Sequence, residues 1–240
     1  MMRRSGFGLL LVTTLFAYAC AGASQTPASI QTPAVTAKGS VADEDVPDLT
    51  IRQVTLKAGE TLLVSSKDEG GDVGVTWNGT PLHQDVGTQG SGFYTMIFSL
   101  YSATGGTGDI VATHVSAGDL TMNAYSVTNL APSALDKTSA AQGTGTSPSS
   151  GATATTRYGN EFLWGAIGYA TNGRVTGTWS DGFTAGTQFT KAGEIGGVED
   201  GYKTVSSTGA YAAAKAGVDK DAWTAEIATY ATSASPDPSR

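Results

Sequence analysis

Apolar residues recur along the middle of the chain in short runs that alternate with polar positions and are separated by turn residues every ten positions or so. That spacing predicts strands of a sandwich or barrel. Ile51 to Leu56 and Thr61 to Ser65 read as two strands joined by the turn Lys57-Ala58-Gly59. Val73 to Trp77 runs into Asn78-Gly79, a hairpin signal because both residues accept a positive φ. Phe93 to Tyr101 is the next strand, Gly105-Gly106 precedes Asp109 to Val115, and Gly118 separates that run from Leu120 to Thr128. Ser139 to Thr156, rich in Gly, Ser, Thr and Ala, reads as a long connection crossing from one sheet to the other. Strands are then expected at Glu161 to Ala170, Gln188 to Ala192, Val198 to Ser206, Tyr211 to Ala214 and Trp223 to Tyr230. A single all-β domain over residues 48–231 follows, because the first half alone would leave a sheet with too few large apolar residues to stabilise.

The flanks follow different patterns. Arg3 and Arg4 precede an uncharged stretch centred on Leu9-Leu10-Leu11-Val12 that ends in Ala17-Tyr18-Ala19-Cys20. A basic start, an apolar run and small residues make a secretory signal over residues 1–19. The run is shorter than the ~20 apolar residues of a membrane-spanning helix, and no later segment approaches that length, so no transmembrane helix is expected. Cys20, the only cysteine, sits where the lipobox of bacterial lipoproteins places its acylated residue. The expected partner is therefore the lipid bilayer, through a diacyl anchor. Ala17 replaces the usual leucine and Tyr18 is bulky for its place, and Ala17-x-Ala19 also fits ordinary signal-peptidase cleavage, which would give a periplasmic or secreted protein. In a Gram-negative host, the absence of Asp at position 21 resembles lipoproteins sorted to the outer membrane. Residues 20–47, rich in Ala, Ser, Thr, Gln and Pro and ending in Asp43-Glu44-Asp45, read as a flexible tether, and 232–240 as a disordered tail.

Composition narrows the functional classes. The chain carries 14 basic and 21 acidic residues, a balance that argues against the basic stripe nucleic acid requires, so nucleic acid is not an expected partner. Its 32 glycines and 8 prolines in 240 residues agree with short strands and tight turns. One cysteine allows neither an internal disulfide nor a thiol cluster.

Several short motifs occur in a recognisable order: Gly59-Glu-Thr-Leu-Leu-Val64, Val75-Thr-Trp-Asn-Gly-Thr-Pro-Leu82, Tyr125-Ser-Val-Thr-Asn-Leu130 with Leu135-Asp136, Glu161-Phe-Leu-Trp-Gly-Ala166, Gly182-Phe-Thr184, Glu199-Asp200 and Ala222-Trp223. This order resembles a group of largely uncharacterised extracellular bacterial β-sandwich domains over residues 50 to 231. The resemblance implies a two-sheet antiparallel, jelly-roll-like sandwich placed outside the cell. It implies no catalytic residue, since that group has no established shared chemistry.

Candidate chemistry is sparse. His83 and His114 are the only histidines, and no G-x-S-x-G elbow or metal-ligand spacing accompanies them. Asp68-Glu69-Gly70-Gly71-Asp72 sets three carboxylates around a Gly-Gly, so Asp68, Glu69 and Asp72 are candidate calcium ligands beside the simpler reading of a solvated acidic turn. Glu199-Asp200 opens a strand and suits a structural hydrogen-bonding role. Period two places Trp164 and Trp223 in the core, with Trp77 covering the hairpin. Trp179 lies among glycines and, with Asn172, Arg174 and Asp181, makes a candidate ligand platform at a sandwich end, against the simpler reading of a ring folded onto the sheet edge. The function expected is non-catalytic recognition or adhesion at the cell envelope, directed at glycan, matrix or a surface protein, with no cofactor other than calcium. A self-assembling structural component and a glycan-active enzyme are the alternatives.

Overall fold

The computed structural model describes residues 31–71, 73–170, 177–189 and 197–233. Its strands are β1 (Val35–Leu56), β2 (Thr61–Asp68), β3 (Val73–Trp77), β4 (Thr80–Pro81), β5 (His83–Gln89), β6 (Tyr94–Leu100), β7 (Gly106–Val127), β8 (Leu130–Gly145), β9 (Glu161–Tyr169), β10 (Thr178–Trp179), β11 (Thr184–Phe189), β12 (Val198–Val205), β13 (Lys215–Ala216) and β14 (Asp221–Thr232). No helix occurs among the described residues. One sheet runs β4-β3-β7-β2-β6-β5 with β1 on the other side of β7, and the second runs β11-β12-β9-β14-β8. All pairings are antiparallel, and the sheets pack on each other as the two-sheet sandwich expected from the sequence. At the two sides of the sandwich, β5 meets β8 and β1 meets β11.

The first half of the chain builds one sheet and the second half builds the other. The passage between them is Thr128-Asn129, not the Ser139 to Thr156 segment. Asn129 has φ 62° and donates its side-chain amide to the Thr32 carbonyl (2.9 Å). Residues up to Gly145 instead form the edge strand β8, paired with β14 from Leu130 to Gly145. Its small polar residues, which resemble a linker in sequence, lie at a sheet edge where little side-chain burial is needed.

β1 begins at Val35, so the stretch read as tether is in part a strand. Residues 35–43 pair with 120–127 of β7, and 48–56 pair with 106–113. Register shifts between Asp43 and Asp48, opposite residues 114–117 of β7, which have no partner in β1, bend the two-strand ribbon sharply. Asp43-Glu44-Asp45 is at this bend, where Asp45 has φ 48° and its N–H donates to Asp119 (3.2 Å). β1 doubles back far enough that a Cβ on Gly39 would lie 2.7 Å from Ile51 Cγ2 of the same strand. At the outside of the bend, Val115 is 83% exposed.

The bend gives the first sheet a near-barrel shape and an interior of its own. Leu49, Ile51, Val54 and Leu56 pack there on Leu62, Val64, Val75, Trp77, Phe98, Ile110 and Met122. A second apolar cluster, with Leu63, Ile97, Tyr125, Phe162, Trp164 and Tyr230, fills the space between the sheets. β2 faces both interiors, which is why every one of its residues is buried. The outer face of the second sheet is covered by two extended segments paired to each other, with Ser150 N–H bonded to Ala213 and Thr153 N–H to Tyr211 (both 2.9 Å). Phe183 and Ala213 pack there against Leu163 and Ile227.

Candidate functional site at the seam of the two sheets

The best-organised polar site lies where β5 of one sheet approaches β8 of the other. Pairing of β5 with β6 slips between Gln84 and Val86, leaving Asp85 as the extra residue of a bulge. Bulges re-aim side chains, and here the Asp85 carboxylate is fully buried. Its Oδ1 accepts from Ser99 Oγ (2.9 Å) and Tyr101 OH (3.3 Å), and its Oδ2 accepts from Tyr230 OH (2.7 Å), which reaches across from the second sheet. His83 Nδ1 lies 2.9 Å from the same Oδ1. An ionised carboxylate only accepts, so Nδ1 is the donor in this contact. Four donors compensate the buried charge.

Burial and the neighbouring Asp85 charge push the Tyr101 and Tyr230 hydroxyls well above their ordinary pKa, which keeps both as donors. The His83 ring is 67% exposed. It lines a cavity of about 150 Å³ with Tyr101, Ser133 and Leu135. The cavity thus offers an oriented imidazole, a hydroxyl, a phenol ring and an aliphatic wall. Sequence reading picked out His83 alone. The His83-Gln84-Asp85 spacing hinted at a pair, but the bulge that turns Asp85 inward leaves no mark in the hydrophobic pattern.

The Trp179 platform takes a different form. The Trp179 ring stacks on Phe183 (5.6 Å, 22°), and a Cβ on Gly201 would fall 2.6 Å from Trp179 Cδ2. The glycines beneath it are slots that admit the ring to the outer face of the sheet, so its surface goes into packing. Asp181, at φ 54°, lends its carbonyl to Lys203 Nζ (2.9 Å). Asn172 and Arg174 lie outside the described residues.

Two of the three candidate carboxylates of the acidic loop are among the described residues. Asp68 is the last residue of β2, with its side chain buried. Its Oδ1 accepts from Gly70 N–H and lies 2.7 Å from His114 Nδ1. Burial pushes its carboxyl pKa up, opposed by the Gly70 N–H and by His114. Glu69 pairs with the buried Lys67. Asp72 lies outside the described residues. Each visible carboxylate thus has one oxygen engaged by the protein's own groups, while Asp68 Oδ2 is buried without a hydrogen-bond partner, and no three His, Cys, Asp or Glu side chains among the described residues are grouped to hold a metal ion.

Two further polar clusters are internal. Asp136 accepts from Lys137 Nζ (2.7 Å) and from the backbone N–H and Nε of Arg157 (2.6 and 2.5 Å), which hold its pKa near about 2 against the cost of burial. Its neighbour Glu161 is pushed by burial up to about 7. Opposed values can mark an acid and base pair, but both side chains are buried and linked to each other, which suits a latch between β8 and β9. Asp200, also raised by burial to about 7, accepts from Asn123 Nδ2 (2.8 Å) between the sheets. The Glu199-Asp200 pair thus splits, Asp200 into the sandwich and Glu199 onto the outer face, where it meets Lys215.

No protein-family model, no curated protein and no solved structure matches the chain.

Proposed function

We propose that the protein is an exported, lipid-anchored recognition domain of the cell envelope that binds glycan without turning it over. The observation that supports the binding role is the cavity at the seam, where a buried carboxylate fixes His83 and Tyr101 beside Ser133 and Leu135. Sugars present C–H faces and hydroxyls together, and a cavity with a ring, an aliphatic wall and polar groups in fixed orientation complements both. Export and anchoring rest on the basic, apolar and small-residue pattern that ends at Cys20.

The test is titration of the mature protein with whole polysaccharides, read by calorimetry. His83→Ala and Ser133→Ala should each weaken binding by about tenfold or more, since one good polar contact is worth about 1.4 kcal/mol, while Trp179→Ala should leave affinity unchanged wherever the fold survives. Equal affinity of all forms, or no binding by the native protein, overturns the reading. The intact mass of membrane-fraction protein beside Cys20→Ala tests the anchor, and an unmodified Cys20 refutes it.

One observation favours a second reading. Asp85, His83 and Ser133 supply the three residue types of a nucleophile, base and orienter around one cavity. Hydrolysis of simple nitrophenyl esters that disappears in both Ser133→Ala and His83→Ala would establish an esterase instead.

A further inference from the structure

Lys215 and Glu199 meet on the outer face of the second sheet with almost no access to water: their side chains are 4% and 5% exposed. Each is held by its backbone. Glu199 is in β12, opposite Ile167 of β9 and Gln188 of β11. Lys215 pairs with Trp179 through β13 and donates its N–H to the Pro148 carbonyl (3.0 Å). An ion pair in such a place bears the full cost of removing two charges from water. Burial pushes the Glu199 carboxyl pKa up, and the Lys215 charge opposes that rise. Proton transfer from the ammonium to the carboxylate relieves the desolvation cost and leaves an amine in direct contact with a carboxylic acid.

We propose that Lys215 and Glu199 become joined by an amide bond between Nζ and Cδ, a covalent clasp formed by the folded protein itself. The amine lone pair attacks Cδ, and the carbonyl π pair moves onto oxygen. The tetrahedral intermediate collapses with cleavage of a C–O bond. That oxygen leaves as water, carrying the acid proton and one proton from nitrogen, and no other reactant is needed. Amines and acids do not condense readily in water. Groups fixed in contact act at effective concentrations of about 10⁵–10⁸ M, and the exclusion of water removes the competing reaction. Tyr169 is a diagonal neighbour of Glu199 on the same face, and its hydroxyl is buried without a hydrogen-bond partner. It supplies a protic group where protons must be exchanged. The product is neutral, so the buried charges disappear. The clasp ties the covering segment around Lys215 to the sheet in a chain whose single cysteine rules out an internal disulfide.

The Lys67–Glu69 contact is a built-in control. It has the same two groups, but Glu69 is 37% exposed and two residues from its partner on the same stretch of chain. Water solvates that carboxylate, and no clasp is expected there.

The experiment is mass spectrometry of the full-length protein as purified. The Lys215→Met form should be heavier than the native protein by the residue substitution plus one molecule of water, and proteolysis of the native protein should give a branched peptide joining the Glu199 and Lys215 fragments. Lys67 and Glu69 should be recovered in linear peptides. A native protein that yields Glu199 and Lys215 only in separate linear peptides overturns the proposal, whether or not the Lys215→Met form folds.

Discussion

The two interiors of this molecule are built on opposite principles. The space inside the curled first sheet is lined by Leu, Ile, Val, Met, Phe and Trp side chains. The space between the sheets has an apolar end at Phe162, Trp164 and Tyr230. It then becomes polar: Trp164 donates to Ser65 (2.9 Å), Asn123 bridges to Asp200, and Thr224 bonds Thr95 (2.6 Å). Glu226 lies in β14 between Ala140 and Ala166, fully buried, with neither carboxyl oxygen hydrogen-bonded. The first interior holds the fold by transfer of apolar area from water. The second positions groups across the sandwich at a cost in stability, and its seam carries the candidate site.

Substitutions on the two sides of this contrast should differ in size and sign. Leu62→Ala, facing the apolar interior from the doubly buried strand β2, should cost about 2–5 kcal/mol in denaturant unfolding. Asn123→Ala should cost about 1–3 kcal/mol, because it strips Asp200 and the Val198 carbonyl of a shared donor. Glu226→Met should stabilise by ~1–2 kcal/mol, since it removes an unpaired polar group and keeps the volume. A loss of stability in that variant would mean that Glu226 has a partner and that the contrast is misdrawn.

pH sharpens the comparison further. Glu161 and Asp200 sit at about 7 in the folded protein, against about 4 for ordinary carboxyls. Their protonated forms favour the fold, so this stability is complete below about pH 4 and lost as pH rises through 7, with a slope of about 1.4 kcal/mol per pH unit for each group while it titrates. Asp136, held near about 2, works in the other direction below pH 4. Thermal melts from pH 5 to 8 should therefore show falling midpoints, and Asp200→Asn should flatten the slope. A flat or rising profile in the native protein would contradict the protonated interior.

Much of this architecture is legible in the sequence, and what is hidden has physical reasons. Strands with clear alternation, such as β6, β9, β12 and β14, stand within a few residues of their expected places, and Asn78-Gly79 makes its turn with φ values of 48° and 77°. The start of β1 and the end of β8 are hidden because they are sheet borders, where Ala, Ser, Thr and Gly satisfy the backbone ladder without an apolar face. The run Ser65-Ser66-Lys67-Asp68 looks like the solvated end of a strand but is buried at every position, with Ser65 and Asp68 each meeting a polar partner. Those partners are distant in the chain: Trp164 for Ser65 and His114 for Asp68. The candidate site is hidden for the same reason. Asp85 is gathered from β5, Ser99 from β6 and Tyr230 from β14, and only a bulge brings them together.

The bent ribbon of β1 and β7 also sets an order of events. Val35 pairs with Val127, 92 positions later, and closing so large a loop costs entropy that grows with the logarithm of its length. The first of the described strands to be synthesised is thus among the last able to dock, and topologies dominated by such distant pairings fold slowly. A chain threaded through a membrane from its N-terminus would carry β1 across unmated until β7 emerged, so a nascent product stopped near Val115 would expose the whole partner edge of residues 35–43 to proteases and to other chains.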